Sequence, residues 1–420
     1  MTIAKRIVYI VAAALLLAIT GMGIYWNMEL AGEDEEAGAP ELQTEVEYYQ
    51  KLAGQGISIN VYNWGEYISD GSDGLMDINR EFERLTGIRV YYSNFATNEE
   101  LYSKLRSGNA NYDVIIPSDY MIGRMINENM LTALDYDLLP NFENIEENFL
   151  YPEYDAENAY TAPYTWGVVG IIYNTGRIME EEITSWDILW DENYAGDILM
   201  FANPRDAFGI VQRKLGYSMN TTDPEQLKEC LEALKVQKPL VQAYVMDEIF
   251  DKMLGGEAAL APYYAGDALT MIDENDMLDF AVPEEGTNIF VDAMCIPAGS
   301  RQVEAAHMYI NFMLEAEVGA ANAEYIGYAS PNAAAKELLD EEIIEDPIAY
   351  PPQEVVDNAE YFLELPRETN LLMDSMWTEL LSSDDYYNRM FVPILLLFAV
   401  MLSVGINMWR SHMKRRKPYF

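Results

Sequence analysis

The chain has 420 residues, half of them hydrophobic, and a formal charge of −44 at pH 7. The apolar content excludes a disordered acidic tail, and the acidic balance argues against a nucleic-acid partner, whose phosphates need a basic surface. Two distant histidines, His307 and His412, and two cysteines with no CxxC spacing leave no His-rich metal site, disulfide framework or redox motif. Cys230 and Cys295 read as small, partly buried thiols.

Charge is unevenly placed along the chain. Residues 1–26 carry Lys5 and Arg6, residues 390–420 carry Arg410, Lys414, Arg415, Arg416 and Lys417, and neither end holds an acidic residue. Residues 7–26 and 390–409 are each 20 residues without a charge, the length of helix that crosses a bilayer core of about 30 Å. Tyr25, Trp26 and Trp409 stand at their edges, as interfacial aromatics do. The basic flanks place residues 1–6 and the tail 410–420 in the cytoplasm, with the acidic middle outside. The first segment reads as a transmembrane helix or uncleaved signal anchor. A cleaved signal peptide is the competing reading, but its apolar run is longer than usual and no A-x-A site follows.

Residues 27–56 are acidic and unpatterned and read as a solvated stalk, with folded sequence expected from Ile57. Ile57, Ile59 and Val61 alternate with polar residues, giving a strand. Leu75, Ile78, Phe82 and Leu85 recur at helical spacing and Gly87 closes that helix. Ile88–Phe95 is a second strand, Asn98 caps a helix through Leu105, and Tyr112–Ile116 is a third strand. This β-α-β-α-β start predicts a parallel sheet with right-handed crossovers. Ligands of such sheets bind beyond the carboxyl ends of the strands, which singles out the loops 63–67 and 117–120. A second α/β unit runs from about Val168 to Asp292, and an amphipathic helix is expected over Ala305–Leu314.

The segments YNWGEY (62–67), YDVIIPSDYM (112–121), APYTWGVVGIIYN (162–174), TSWDILWDENYAGDILM (184–200), NPRDAFG (203–209), KLGYSMNTTDPE (214–225), EAALAPYYAGDA (257–268), NIFVDAMCIP (288–297) and EYIGYASPN (324–332) follow one another in order. In these the chain resembles the extracytoplasmic substrate-binding proteins of spermidine/putrescine ABC transporters, over nearly all of residues 57–365. The resemblance implies a two-lobed α/β fold of the periplasmic-binding-protein type II class with crossover strands at a hinge. Lobe 1 is then 57–167 with 293–338 and lobe 2 is 168–292 with 339–389. It implies capture of a polyamine, with carboxylates for the amines and aromatic faces for the methylenes. An ammonium taken from water needs a counter-charge, and rings over a cation add about 0.5–2 kcal/mol.

Carried over residue by residue, the ligand-binding set is Trp64, Tyr67, Ser118, Tyr120, Asn203, Asp206, Tyr264, Phe290, Asp292 and Tyr328. Phe290 and Asp292 are two apart on one strand and so share a face. A carboxylate between Val291 and Ala293 in an apolar strand needs a partner. The chain departs from the family by carrying Ala202 and Asn203 where some members place an acidic residue, which leaves putrescine and spermidine both open. Phe362 falls where some members carry a Gln. Each position has a plainer reading beside it: Asn203 before Pro204 makes a good N-cap, with Asp206 as the acidic residue of the first turn. Asp267 reads as a helix cap, and Tyr164 and Trp166 as packing at the lobe junction.

The partners implied are a polyamine, permease subunits and a cytoplasmic ATPase, since the chain contains neither a P-loop nor enough spans to be a permease. No cofactor, metal or enzymatic activity is expected, because no Ser-His-Asp or Cys-His set is available. An extracellular sensor is the first alternative, opposed by cytoplasmic ends too short for a kinase or cyclase. Binding of another organic cation or of iron is the second. Iron prefers clustered Tyr with His or carboxylates, and the aromatic-plus-Asp pattern suits an organic amine better.

Overall fold

The computed structural model describes residues 40–108, 111–179 and 183–382, apart from the side chain of Asp73. The membrane segments expected at 7–26 and 390–409, the stalk residues 27–39 and both cytoplasmic ends lie outside the described residues. Among the described residues, no helix is long and apolar enough to cross a membrane.

The chain forms two compact units. Of the described residues, unit 1 comprises those up to Gly167, Ala265–Thr270 and Phe290–Pro351, and unit 2 comprises Val168–Tyr264, Met271–Ile289 and those from Pro352 on. The return to unit 1 at Phe290 precedes the expected residue 293, so Asp292 belongs to unit 1 rather than to the second unit. Residues 339–351, expected in the second lobe, also lie in unit 1.

Unit 1 is built on a parallel sheet in which Ser58–Trp64 lies between Arg89–Phe95 and Val114–Ile115. The helix Ile78–Thr86 connects the first two strands. Asp77 accepts from the Arg80 amide at its start, and Gly87 ends it at φ 72, a left-handed conformation open to glycine. Ile78 and Phe82 face the core, whereas Leu75 lies before the first turn. The next helix, Asn98–Arg106, is capped by Thr97, whose hydroxyl accepts from Glu100 N, and not by Asn98 as expected. Threonine and asparagine both cap well, so adjacent candidates are separated only by backbone geometry. Asn98 instead faces Ser118, donating from Nδ2 to Oγ at 3.1 Å and accepting from the Ser118 amide at 3.2 Å.

Two further expectations for this unit fail. The helix Val303–Met313 is not amphipathic: every residue from Ala305 to Met313 is buried, as in a helix enclosed on all sides. His307 on it uses both ring nitrogens locally, Nε2 accepting from Asp135 N at 2.8 Å and Nδ1 lying 2.7 Å from Val303 O. Nor is the stretch before Ile57 all solvated stalk. Val46–Gln50 is a short helix, and Tyr49 on it is completely buried. The buried carboxylate of Glu315 receives Gln43 N at 2.5 Å, Thr44 N at 3.1 Å and Tyr49 Oη at 2.7 Å. A desolvated carboxylate needs such donors, and they come from a segment whose own pattern shows no periodicity.

Unit 2 is a mixed sheet. The strand Ala162–Asn174 enters it from unit 1 and pairs antiparallel with Leu260–Tyr264 and Leu278–Ala281. Ile198–Phe201 pairs in parallel with Val241–Val245 and, at Ile198, with Leu260. Ile198–Phe201 is wholly buried and runs directly into the helix Pro204–Lys214. Asn203 caps that helix by accepting from Asp206 N at 2.9 Å, with Pro204 at the first helical position. The helix Arg367–Ser382 closes the described chain, burying Met373, Trp377 and Leu380. It is tied to the helix Pro224–Gln237 and the turn after it by Lys235 on Glu379 at 2.6 Å and Lys238 on the Leu380 carbonyl at 2.6 Å.

Candidate ligand-binding residues in the two units

In unit 1, local hydrogen bonding shapes the loop that carries the first aromatics. Asn63 bends it, its Oδ1 accepting from Trp64 N at 2.9 Å and its Nδ2 donating to Tyr67 O at 3.3 Å. Glu66 takes a left-handed φ of 46, an uncommon conformation for a residue with a Cβ. The result turns Trp64 and Tyr67 in different directions. Trp64, half-buried, lies across from Phe95 in the strand register, ring centroids 4.5 Å apart, and its indole N–H has no acceptor among the described residues. Tyr67 turns inward and is buried.

Asp292 meets Tyr67 there. The strand Ile289–Met294 is buried at every position, and its continuation pairs with the end of the third strand: Ile115 N donates to Cys295 O at 3.0 Å and Ala293 N to Pro117 O at 3.1 Å. That pairing sets Ser118 opposite Asp292. Tyr67 Oη donates to Asp292 Oδ2 at 2.7 Å. Burial, and then the charge of Asp292, hold the Tyr67 phenol well above the usual tyrosine range, so it remains a donor. Tyr328 stands edge-on to Tyr67 with centroids 4.8 Å apart, and Phe290 lies 6.2 Å from Tyr328. Ser118 sits at the start of the helix Asp119–Asn127 without capping it through its side chain. Tyr120 is half-buried and donates to Glu99 Oε1 at 3.0 Å. Asp267 is not a cap, since it lies inside the first turn of the helix Ala265–Glu274. It is near enough to raise the Tyr67 phenol further.

Sequence reasoning missed Thr165, whose Oγ1 is 2.6 Å from Tyr67 Oη. Its neighbour Tyr164 donates to Tyr67 O at 2.6 Å. No spacing rule links residues so far apart in the chain, and only the run of aromatics around Thr165 marked the segment.

In unit 2, Tyr264 Oη donates to Asp206 Oδ2 at 2.9 Å, and the Tyr264 ring lies 5.1 Å from Phe201. Burial pushes the Asp206 carboxyl above its ordinary value, against the lowering influence of Asn203, Tyr264 and Arg205. Asn203 is committed to the helix cap, and its Nδ2 faces Met246 Sδ at 3.6 Å. Phe362 is buried beneath the Arg205 guanidinium, 4.2 Å from ring centroid to Cζ. Each unit therefore holds a carboxylate receiving a tyrosine hydroxyl, with further rings beside it. Among the described residues, no group of three or more His, Cys, Asp or Glu side chains is placed to hold a metal ion.

The family model for bacterial extracellular solute-binding proteins matches residues 109–358. The chain belongs to that family. It is 35% identical over 301 residues to the spermidine/putrescine-binding periplasmic protein of Escherichia coli, covering 71% of this chain and 85% of that one. It is 29% identical to the putrescine-binding periplasmic protein SpuD of Pseudomonas aeruginosa, covering 77% and 92% of the two chains. Among solved structures, a putative spermidine/putrescine ABC transporter protein from Listeria monocytogenes superposes with a TM-score of 0.73 at 36% identity, covering 77% of this chain and 98% of that one. The fold is accordingly the type II periplasmic-binding-protein fold. Members of this family bind solutes and do not transform them, so the chain is not an enzyme, and its binding domain works outside the cytoplasm.

Proposed function

We propose that this chain is the polyamine-binding subunit of an ABC transporter, capturing putrescine or spermidine outside the cell for delivery to a permease driven by a cytoplasmic ATPase. The observation that carries the reading is Asp292, a carboxylate on a wholly buried strand, receiving the hydroxyl of Tyr67, whose ring packs edge-on to Tyr328 with Phe290 beyond it. A buried carboxylate favours a cationic guest, and rings suit the methylenes between amines. Relatives named for spermidine and putrescine binding support the same ligand class. Asp206 beside Tyr264 is the second amine-binding carboxylate, and Trp64, Ser118 and Tyr120 are further ligand contacts.

The uncharged segments 7–26 and 390–409 and their basic flanks support a membrane tether with both termini in the cytoplasm. Calorimetric titration of the full chain with putrescine, spermidine and spermine, with choline and ferric citrate as controls, tests the ligand. Micromolar or tighter binding of a polyamine alone is expected, and heat from choline or ferric citrate in place of any polyamine would reject the class. Carbonate extraction of membranes tests the tether, which predicts that the chain stays in the pellet.

A further inference from the structure

We infer that Thr165 is a positioning residue for Asp292, acting through the hydroxyl of Tyr67. The inference rests on Asp292 being an amine-binding carboxylate, and it concerns what holds that carboxylate in place before a ligand arrives. Thr165 is 2% exposed, and Tyr67 and Asp292 are each 4% exposed. Tyr67 Oη lies 2.7 Å from Asp292 Oδ2 and 2.6 Å from Thr165 Oγ1. A phenol has one proton, and an ionised carboxylate only accepts. The Tyr67 proton therefore goes to Asp292, and the contact with Thr165 is made by the threonine hydroxyl donating into the phenol oxygen. The relay runs in one direction, from Thr165 to Tyr67 to Asp292, and each donor polarises the next.

The strand that carries Thr165 holds its surroundings as well. Tyr164 donates to the Tyr67 carbonyl at 2.6 Å while accepting from Asn322 Nδ2 at 2.9 Å. Trp166 N donates to Ala329 O at 3.1 Å, next to Tyr328. Three successive residues thus fix the Tyr67 backbone, the Tyr67 hydroxyl and the segment bearing the ring packed against Tyr67. Asp292 and Asp267 are the charged groups that act on the Tyr67 phenol. A pre-set carboxylate needs less reorganisation when an ammonium binds.

Thr165→Val keeps the β-branched shape and deletes the donor, while Thr165→Ser restores it. In the full chain, Thr165→Val is expected to weaken putrescine or spermidine binding about three- to tenfold, with Thr165→Ser close to wild type. On a Tyr67→Phe background, Thr165→Val should cost nothing more. A readout that needs no ligand is the 13C titration of the Asp292 carboxyl in aspartate-labelled protein. Thr165→Val and Tyr67→Phe should both raise its midpoint, and Thr165→Ser should not. An unmoved Asp292 midpoint in Thr165→Val, or an undiminished loss on the Tyr67→Phe background, overturns the inference. If wild type binds no polyamine, the proposed ligand falls, and the carboxyl titration decides the role of Thr165 independently.

Discussion

Gly266→Ala tests whether the aromatic packing around Tyr67 is as tight as the structure shows. A Cβ at residue 266 would fall 2.1 Å from Cδ2, 2.3 Å from Cε2 and 2.4 Å from Cγ of Tyr328. Carbon atoms sit comfortably at about 3.5–4.0 Å, so the ring must withdraw by about 1.5 Å. It has little room, being 4% exposed and edge-on to Tyr67 at 4.8 Å. Overpacking of this kind costs about 1–3 kcal/mol, and loss of the aromatic pair about 0.5–1.5 kcal/mol more. The variant should therefore melt several degrees below wild type, at about 2–4 °C per kcal/mol for a domain of this size. Its polyamine affinity should fall as well, because Tyr328 packs on the tyrosine that donates to Asp292. Gly299→Ala is the control, since nothing lies within 4 Å of its Cβ position. Thermal unfolding followed by circular dichroism, with and without putrescine, reads both effects. Equal melting temperatures for the two variants would refute the packing argument.

Asp292→Asn keeps the side-chain shape and an acceptor for Tyr67, so the fold should survive while affinity drops by about 2–5 kcal/mol, the cost of removing one partner of a buried charge pair; unchanged calorimetric affinity would show that Asp292 is not the amine site. Asp206 gives a pH signature. Its folded value is raised by burial, so the folded state keeps this proton longer than the unfolded chain does, and the stability involved is present at low pH and lost as pH rises through the raised value. Unliganded Asp206→Asn should escape that loss, its melting temperature gaining on wild type from about pH 4 upward, and parallel pH profiles would contradict the assignment. Tyr49→Phe removes a donor to the buried Glu315 carboxylate, and about 1.5–3 kcal/mol of stability should go with it. Denaturant titration checks this, and a wild-type midpoint would mean the Tyr49 hydroxyl bond to Glu315 contributes nothing to stability.

Much of the local structure was legible because its causes are local. Alternation at Ile57, Ile59 and Val61 marked the first strand, and Ile78, Phe82 and Gly87 marked the helix and its end. Asn203 before Pro204 announced a cap that the structure contains. In that cap the Asn203 side-chain oxygen accepts from Asp206 N. The cap expected at Asn98 falls one residue earlier, at Thr97, because the backbone turns helical only from Asn98 onward. The helix Val303–Met313 was misread because Ala305, Met308, Tyr309 and Phe312 recur at helical spacing and look like a single apolar stripe, and only its neighbours show that all sides are covered.

By itself, the amino-acid order determined the α/β class, the pairing of Phe290 with Asp292 on one strand and the loops worth searching, because periodicity and turn chemistry act over a few residues. Tertiary structure alone decided that Tyr67 donates to Asp292, that Thr165 stands behind Tyr67, that Tyr264 reaches Asp206, and that Glu315 gathers Gln43, Thr44 and Tyr49. These contacts join residues from 58 to 272 positions apart in the chain. A buried carboxylate requires donors wherever the fold can bring them, and that requirement leaves no trace in spacing along the chain.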